Sequence, residues 1–328
     1  MKSILALAIA SSYGLLIRGI FGYISPSFEV MSLTFLCLVP FFIGFLTVRF
    51  WPEGKIKSTW SAFAKPWLTC LILLIITILL NIEGTICWAM IYPFFSAAAG
   101  LGGVLTYKIM ERKPKNRDHH DILDENDWDN SSTLKMSLVL LLPIFLGLIE
   151  GDRTSSQQYI TLEESVTIDA SAEEIWQTIT HLGKVDHTEK ATYFTNTMGF
   201  PKHLYTTLDT CALGGKRIAY YEKGLFFEET ITEIIPFKKL VLDIHVDPDK
   251  IPATVLDEHI VIGGKHVDII ADTYNLVTNP DGTTHLSLSS QYVINTPFNW
   301  YAGIWAKYLM SDLLRGELHL IKRRAEIE

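Results

Sequence analysis

The residues best suited to catalysis are histidines and carboxylates in the second half of the chain. Asp243, Asp268 and Asp272 fall in strand-like segments, where a buried carboxyl group with a raised pKa can act as a general acid. Histidines fall on predicted turns, polar strand faces and the outer side of the last helix: His181, His187, His203, His245, His259, His266, His285 and His319. No Glu-x-x-His or Cys-x-x-Cys spacing occurs. We therefore predict no catalytic residue, and we expect the strand carboxylates to be exposed, although pairing in space between distant residues remains open.

An acidic stretch at 117–129 is the segment most suggestive of a metal site. A calcium loop needs oxygen ligands at alternate positions and a glycine at its turn, and no glycine follows here. His119 and His120 are adjacent rather than one helical turn apart. The four cysteines lie in apolar runs or alone: Cys37, Cys70, Cys87 and Cys211. The sequence predicts a solvated acidic linker, no metal, no disulfide framework and no cofactor.

The second half alternates strand-like and helical patterns. Polar and apolar residues alternate up to Ile168, and helical spacing follows through Ile175, Trp176 and Ile179. Thr296-Pro297 predicts the start of a long helix that runs to about Arg324. Between the helices, one strand places five residues on one face: Leu286, Leu288, Ser290, Tyr292 and Ile294. This alternation indicates an antiparallel sheet with one covered face.

The order strand, helix, curved sheet and long closing helix resembles the START / Bet v 1-like superfamily, which includes polyketide cyclase/dehydrase and lipid-transport proteins. The Asp-Ala-Ser turn at 169–171 before Trp176, and the segment 296–309, carry the resemblance. It covers 159–328 and implies an α+β helix-grip domain with a hydrophobic cavity between sheet and helix. We expect six residues to line that cavity: Leu286, Leu288, Tyr292, Tyr301, Trp305 and Leu309. The alternative is that these side chains fill a solid core.

The first half contains five apolar runs, at 4–24, 30–50, 67–80, 86–107 and 134–149. A membrane-spanning helix needs about 20 apolar residues. The first, second and fourth runs are long enough, whereas the third and fifth need flanking residues. The first run continues past Ala6-Leu7-Ala8, which favours a membrane helix over a cleaved signal peptide. The sequence predicts a membrane domain of about five helices at 1–150, a linker at 151–158 and the ligand-binding domain at 159–328.

Lysine and arginine residues set the predicted orientation. They cluster in the loops after the second and fourth runs, at 49–65 and 108–117, and are missing from the loops after the first and third. Basic loops face the cytoplasm, so we expect a cytoplasmic N-terminus and an extracytoplasmic C-terminal domain. We expect Arg18, near the outer end of the first run, to reach the membrane interface. Small residues at 96–103 predict close helix packing.

A net charge of −8 opposes nucleic-acid binding. We expect an integral membrane protein whose helix-grip domain binds a lipid or another hydrophobic small molecule, with transfer at the membrane surface as one use. An enzyme of cyclase, dehydratase or hydrolase type using the same cavity is the first alternative. A structural or sensory membrane protein with an unused pocket is the second. The sequence names neither the ligand nor a protein partner.

Overall fold

The computed structural model describes residues 2–23, 30–52, 54–111, 138–150, 155–186, 189, 193–250 and 261–327. The chain divides into two compact units, formed mainly by the helices before residue 151 and by Ser155–Glu328. The acidic stretch 117–129, His187 and His259 lie outside the described residues.

The N-terminal unit is helical. Its described helices are α1 (Lys2–Tyr23), α2 (Thr34–Arg49, opening with a π-helical turn), α3 (Thr59–Leu79), α4 (Thr85–Glu111) and α5 (Leu142–Glu150). Three of them contain apolar segments long enough to cross a membrane: Lys2–Phe21, Thr59–Leu79 and Thr85–Glu111. The unit is therefore compatible with a membrane domain.

The lengths of α2 and α3 bear on the sequence prediction in different ways. The second apolar run was expected to span a membrane, but α2 is shorter than the spanning helices. The third run was expected to need flanking residues, and α3 includes them: it has 21 residues and begins at Thr59, where Ser58 caps the helix by accepting a hydrogen bond from the Ser61 N–H. Pro66 lies inside α3 and interrupts the sequence pattern without ending the helix.

Close packing inside the N-terminal unit follows from its small residues, as predicted. A Cβ added at Gly102 would lie 1.9 Å from the main-chain oxygen of Phe41, so α4 and α2 touch backbone to backbone. The side chain of Arg18, which was expected to reach the membrane interface, is buried at 4% exposure, and its Nε lies 2.5 Å from the Glu83 carboxylate. Glu83 lies in the loop between α3 and α4, and the position of this ion pair in a membrane stays a prediction.

The described residues of the C-terminal unit form one seven-stranded antiparallel sheet and three α-helices, besides two short 3-10 turns. The strands are β1 (Ser156–Ile168), β2 (His203–Leu208), β3 (Lys216–Tyr221), β4 (Phe226–Ile235), β5 (Lys239–His245), β6 (Val267–Thr278) and β7 (Thr284–Thr296). Their order across the sheet is β1-β7-β6-β5-β4-β3-β2. The helices are α6 (Ala172–Thr180), the short α7 (Phe194–Thr197) and the long α8 (Asn299–Ala325). Strand β1 begins at Ser156, earlier than the predicted domain start at residue 159.

Local sequence explains the elements that hold the sheet against α8. Ser171 and Glu174 form a reciprocal capping box at the start of α6, which places Ile175 and Ile179 in the core. The alternating residues of β7 pack against Leu314 and Leu318 of α8 in the same core. The predicted fold class is therefore confirmed: apolar helices precede an α+β helix-grip domain.

Candidate ligand cavity

A cavity of about 140 Å³ lies between the inner face of the sheet and α8. Part of its wall is apolar and comes from both layers: Phe200, Ala219, Phe227, Ile244, Ile269, Leu288, Met310, Leu313, Leu314 and Leu320. The remaining inner wall carries ionisable and hydroxyl groups, which a simple apolar pocket would lack: His203, Arg217, Tyr221, Glu229, Asp272, Tyr274, Ser290 and Glu317. The wall of the cavity therefore combines apolar and polar side chains.

Two β-bulges aim polar residues into this cavity. In β6, Ile269 pairs with Tyr292 and Asp272 pairs with Ser290, so one extra residue separates the two pairs. The bulge reverses the alternation and lets Ile269 and Asp272 share the inner face. In β2, a bulge after His203 likewise brings His203 and Thr206 to one face.

A buried ion pair forms part of the polar wall. Arg217 on β3 and Glu229 on β4 are cross-strand partners, and a guanidinium N–H donates to the Glu229 carboxylate. Both side chains are almost completely buried. Burial raises the pKa of Glu229 and its pairing with Arg217 opposes that effect. Arg217 Nε has no hydrogen-bond partner within the described part of the chain.

A second polar pair joins the sheet to α8. His203 Nδ1 lies 3.1 Å from Glu317 Oε2, and His203 Nε2 lies 2.9 Å from the Thr206 hydroxyl. The imidazole ring stacks on Tyr221, with ring centroids 4.8 Å apart. Burial raises the pKa of Glu317, but the nearby His203 and Arg217 outweigh it, so the net pKa lies below its usual value.

Asp272 is the most perturbed carboxyl group of the wall. Burial raises its pKa to about 7, against a hydrogen bond from Ser290 that lowers it. Neighbouring Glu229 and Glu317 raise the pKa further, whereas Arg217 lowers it. Asp272 faces the cavity, and its Oδ1 has no partner among the described residues. A pKa of about 7 leaves this carboxyl group partly protonated at neutral pH.

The phenols of Tyr221 and Tyr274 complete the polar wall. Burial raises the pKa of both well above the usual tyrosine value, and nearby carboxylates add to the effect. Both hydroxyls therefore stay protonated at any pH near neutrality and serve as hydrogen-bond donors or acceptors.

Residues around the short helix α7 also line the cavity, among them Tyr193 and Thr195. The Thr195 main-chain N–H and hydroxyl both donate to Asp312 of α8, each at 2.8 Å. The Tyr193 hydroxyl lies 2.6 Å from His319 Nδ1. These contacts fasten the segment around α7 to the closing helix.

The six residues predicted from sequence occupy different places. Leu288 lies on the cavity wall, and Leu286 and Tyr292 belong to the core next to it. Tyr301, Trp305 and Leu309 are half-buried on the first turns of α8, outside the set of lining residues. The part of α8 that lines the cavity begins at Met310, the residue directly after Leu309. Ligand binding by the six residues stays a prediction.

Sequence analysis placed the histidines and aspartates on solvated faces, and for two of them this was wrong. His203 and Asp272 face the cavity, because each lies beside a bulge that reverses the alternation. Arg217, Glu229 and Glu317 were missed. One signal was available: Arg217 alternates with Ala219 and Tyr221, and Glu229 with Phe227, so each charged residue shares a strand face with apolar or aromatic residues. Within the described residues, no group of His, Cys, Asp and Glu side chains has the arrangement to hold a metal ion.

Comparison with known proteins leaves the family open. No protein-family model and no curated protein matches the chain. Among solved structures, a START superfamily protein from Mycobacterium smegmatis aligns with TM-score 0.33 and 13% identity, covering 51% of this chain and 97% of that chain. A protein from Nitrosospira multiformis aligns with TM-score 0.33 and 13% identity, covering 51% and 96%. Truncated norcoclaurine synthase from Thalictrum flavum aligns with TM-score 0.32 and 12% identity, covering 51% and 94%. The helix-grip fold is assigned from the strand order and the closing helix. The function proposed below is argued from the cavity.

Proposed function

We propose that the C-terminal domain binds a small molecule with an apolar body and a polar head, and that the N-terminal helices anchor this domain to a membrane. The observation that carries the proposal is the mixed wall of the cavity, which combines apolar residues such as Phe227 and Leu313 with polar residues such as Arg217 and Asp272. Ligand sites in proteins commonly combine apolar walls with a few convergent polar groups.

The volume of the cavity decides between a whole lipid and a smaller ligand. An apolar cavity of about 150 Å³ accommodates benzene, whereas pockets for drug-sized ligands measure roughly 300–1,000 Å³. At about 140 Å³, the cavity fits one ring or a short branched chain. A long acyl chain would need the sheet and α8 to separate, so we propose a ring-sized ligand.

Blocking the cavity tests the binding function. In the full-length protein, Leu288→Trp places an indole in the cavity, and Ala219→Leu fills it by a smaller amount. We expect uptake of benzyl alcohol, measured by calorimetry in amphipol, to fall at least about tenfold in both variants, while the melting temperature changes little. In a solid core, the larger side chains would instead destabilise the domain by about 1–3 kcal/mol. Val277→Trp, at an exposed position of β6, is the matched control.

Two results together would refute the cavity as a binding site. The unchanged protein would take up no measurable benzyl alcohol, and the two filling variants would lose stability. Uptake that survives both Leu288→Trp and Ala219→Leu would place binding elsewhere. Because Val277→Trp adds the same indole outside the cavity, it separates blockage from a general effect of the added ring.

The positions of the basic loops support an extracytoplasmic location for the domain. Single cysteines at Ser156 and Asn116, in a background without the four native cysteines, test this with an impermeant thiol reagent on intact cells. We expect Ser156→Cys to be labelled and Asn116→Cys to be protected. The reverse pattern would put the ligand-binding domain in the cytoplasm.

An acid–base enzyme is the second candidate, because Asp272 titrates near neutrality inside the cavity beside the His203–Glu317 pair. Catalytic acids and bases work best with a pKa near the operating pH. The probe 1,2-benzisoxazole reports such a base: removal of its ring C–H proton breaks the N–O bond and yields absorbing 2-cyanophenolate. We expect turnover that rises with the ionisation of Asp272 and disappears in Asp272→Asn. Equal rates in both proteins would exclude Asp272 as the base.

A further inference from the structure

The inner wall of the cavity holds more acids than bases. The acids are Glu229, Asp272 and Glu317, and the bases are Arg217 and His203. Each base is already paired with an acid, Arg217 with Glu229 and His203 with Glu317. The other charged residues that line the cavity are two acids and two bases: Glu189, Lys202, Asp312 and Arg323. Asp272 is therefore the acid of this wall whose charge no paired base neutralises.

Two buried polar atoms of the wall have unused hydrogen-bonding capacity. Asp272 Oδ1 has no partner among the described residues, although Ser290 hydrogen-bonds to the same carboxyl group. Arg217 Nε also has none within that part of the chain, and Arg217 is 4% exposed. Buried polar atoms in proteins nearly always have a partner. Both residues line the cavity. Asp272 Oδ1 is an acceptor that a donor group of a guest would satisfy, whereas the Arg217 Nε–H is a donor that needs an acceptor such as water.

We propose that the cavity selects a small molecule whose head group is a cation, a protonated amine, and that Asp272 holds this head group. The inference rests on the binding function proposed above. An ammonium group has three donors and no acceptor, so it can donate to Asp272 Oδ1 and still bind water or the Tyr274 hydroxyl. The apolar body then packs against apolar lining residues such as Phe227 and Leu313.

An anionic head group meets unfavourable conditions in the same place. The guanidinium beside Asp272 belongs to Arg217 and is already paired with Glu229. An anionic head group would also lie near Asp272 and Glu317. Like charges in a partly desolvated site repel. A neutral alcohol can hydrogen-bond to Asp272, but a hydrogen bond between two charged groups is roughly twice as strong as a neutral one.

Binding of a cation is coupled to the proton on Asp272. The groups that face this carboxyl group are Ser290 of β7, Glu229 of β4, Arg217 of β3 and Glu317 of α8. Without a cation, the pKa is about 7. A bound ammonium favours the carboxylate, so the carboxyl proton leaves to solvent as the ion pair forms. Affinity for the amine therefore falls as the pH drops below 7.

Four ring-sized probes of matched shape test the proposal on the full-length protein in amphipol: benzylamine, benzyl alcohol, toluene and benzoate. At about pH 8 we expect benzylamine to bind at least about tenfold tighter than benzyl alcohol, and benzoate to bind weakest. In Asp272→Asn the preference for the amine should disappear while benzyl alcohol still binds, which shows that the variant is folded. Asp243→Asn, an exposed carboxylate on β5, is the control and should keep the preference.

Calorimetry at pH 7 in two buffers of different ionisation enthalpy measures the released proton directly. We expect about half a proton to be released for each benzylamine bound, because a carboxyl group with a pKa of about 7 is half protonated there. Equal or tighter binding of benzyl alcohol would overturn the proposal, and tight binding of benzoate would transfer the role to Arg217. If none of the four probes binds, the binding function itself fails.

Discussion

Replacing Asp272 by asparagine should stabilise the protein in alkaline solution. The carboxyl group has a pKa of about 7 in the folded protein and 3.8 as its ordinary value. Because the folded-state pKa is raised, the folded protein holds the proton more tightly than the unfolded chain does. This contribution to stability is complete below pH 3.8 and is lost as the pH rises to about 7.

The size of the effect follows from the two pKa values. Each pH unit between them corresponds to about 1.4 kcal/mol, so the wild type should lose about 3 kcal/mol between about pH 5 and pH 8.5 through this group. Asparagine cannot ionise and avoids the loss. For a domain of this size, 1 kcal/mol shifts the melting temperature by about 2–4 °C, so we expect a relative gain of about 5–11 °C for the variant.

Thermal unfolding of wild type and Asp272→Asn at about pH 5 and about pH 8.5 measures this difference. Comparing the two proteins at each pH removes the contribution of the other groups, which titrate in both. Asp243→Asn, at an exposed position, serves as the control and should follow the wild type at each pH. If the gap between Asp272→Asn and wild type is the same at both pH values, then Asp272 does not titrate in this window and the pH linkage described above is wrong.

Two further predictions concern buried contacts. Arg217→Met should destabilise the domain by about 3–5 kcal/mol in urea unfolding, because it leaves Glu229 buried without its partner. The double change of Arg217→Met with Glu229→Leu should restore most of the lost stability. A double variant as unstable as the single one would contradict this prediction. Gly102→Ala should lower the yield of folded full-length protein in detergent chromatography, since its Cβ meets a main-chain oxygen at 1.9 Å, while Gly19→Ala, with nothing within 4 Å, should not.

The architecture of the C-terminal domain could be predicted because its signals are local. The alternation from Leu286 to Ile294 fixes the inner face of β7, and the cap at Ser171 fixes the start of α6. Both patterns depend on neighbours within a few residues along the chain. The helix count of the first half was predicted roughly for the same reason, since apolar runs are local as well.

The polar wall could not be predicted, because it depends on contacts between distant residues. His203 and Glu317 are 114 residues apart in the chain, and Arg18 and Glu83 are 65 apart. Strict alternation also assigns Asp272 to the face opposite Ile269, and a bulge leaves no clear mark in the sequence of β6. The sequence therefore predicted an apolar cavity, whereas the wall of the observed cavity also contains ionisable groups.

The bulge in β6 makes strand pairing, as well as residue type, a determinant of what lines the cavity. Deleting Ile270, the extra residue between the Ile269 and Asp272 pairs, would leave these two residues two positions apart, so regular alternation would keep both on the inner face. If Ile270 stayed and the strand paired without the bulge, one of the two side chains would turn outward. The pairing at one position of β6 therefore determines whether an acid and an apolar residue share the inner face.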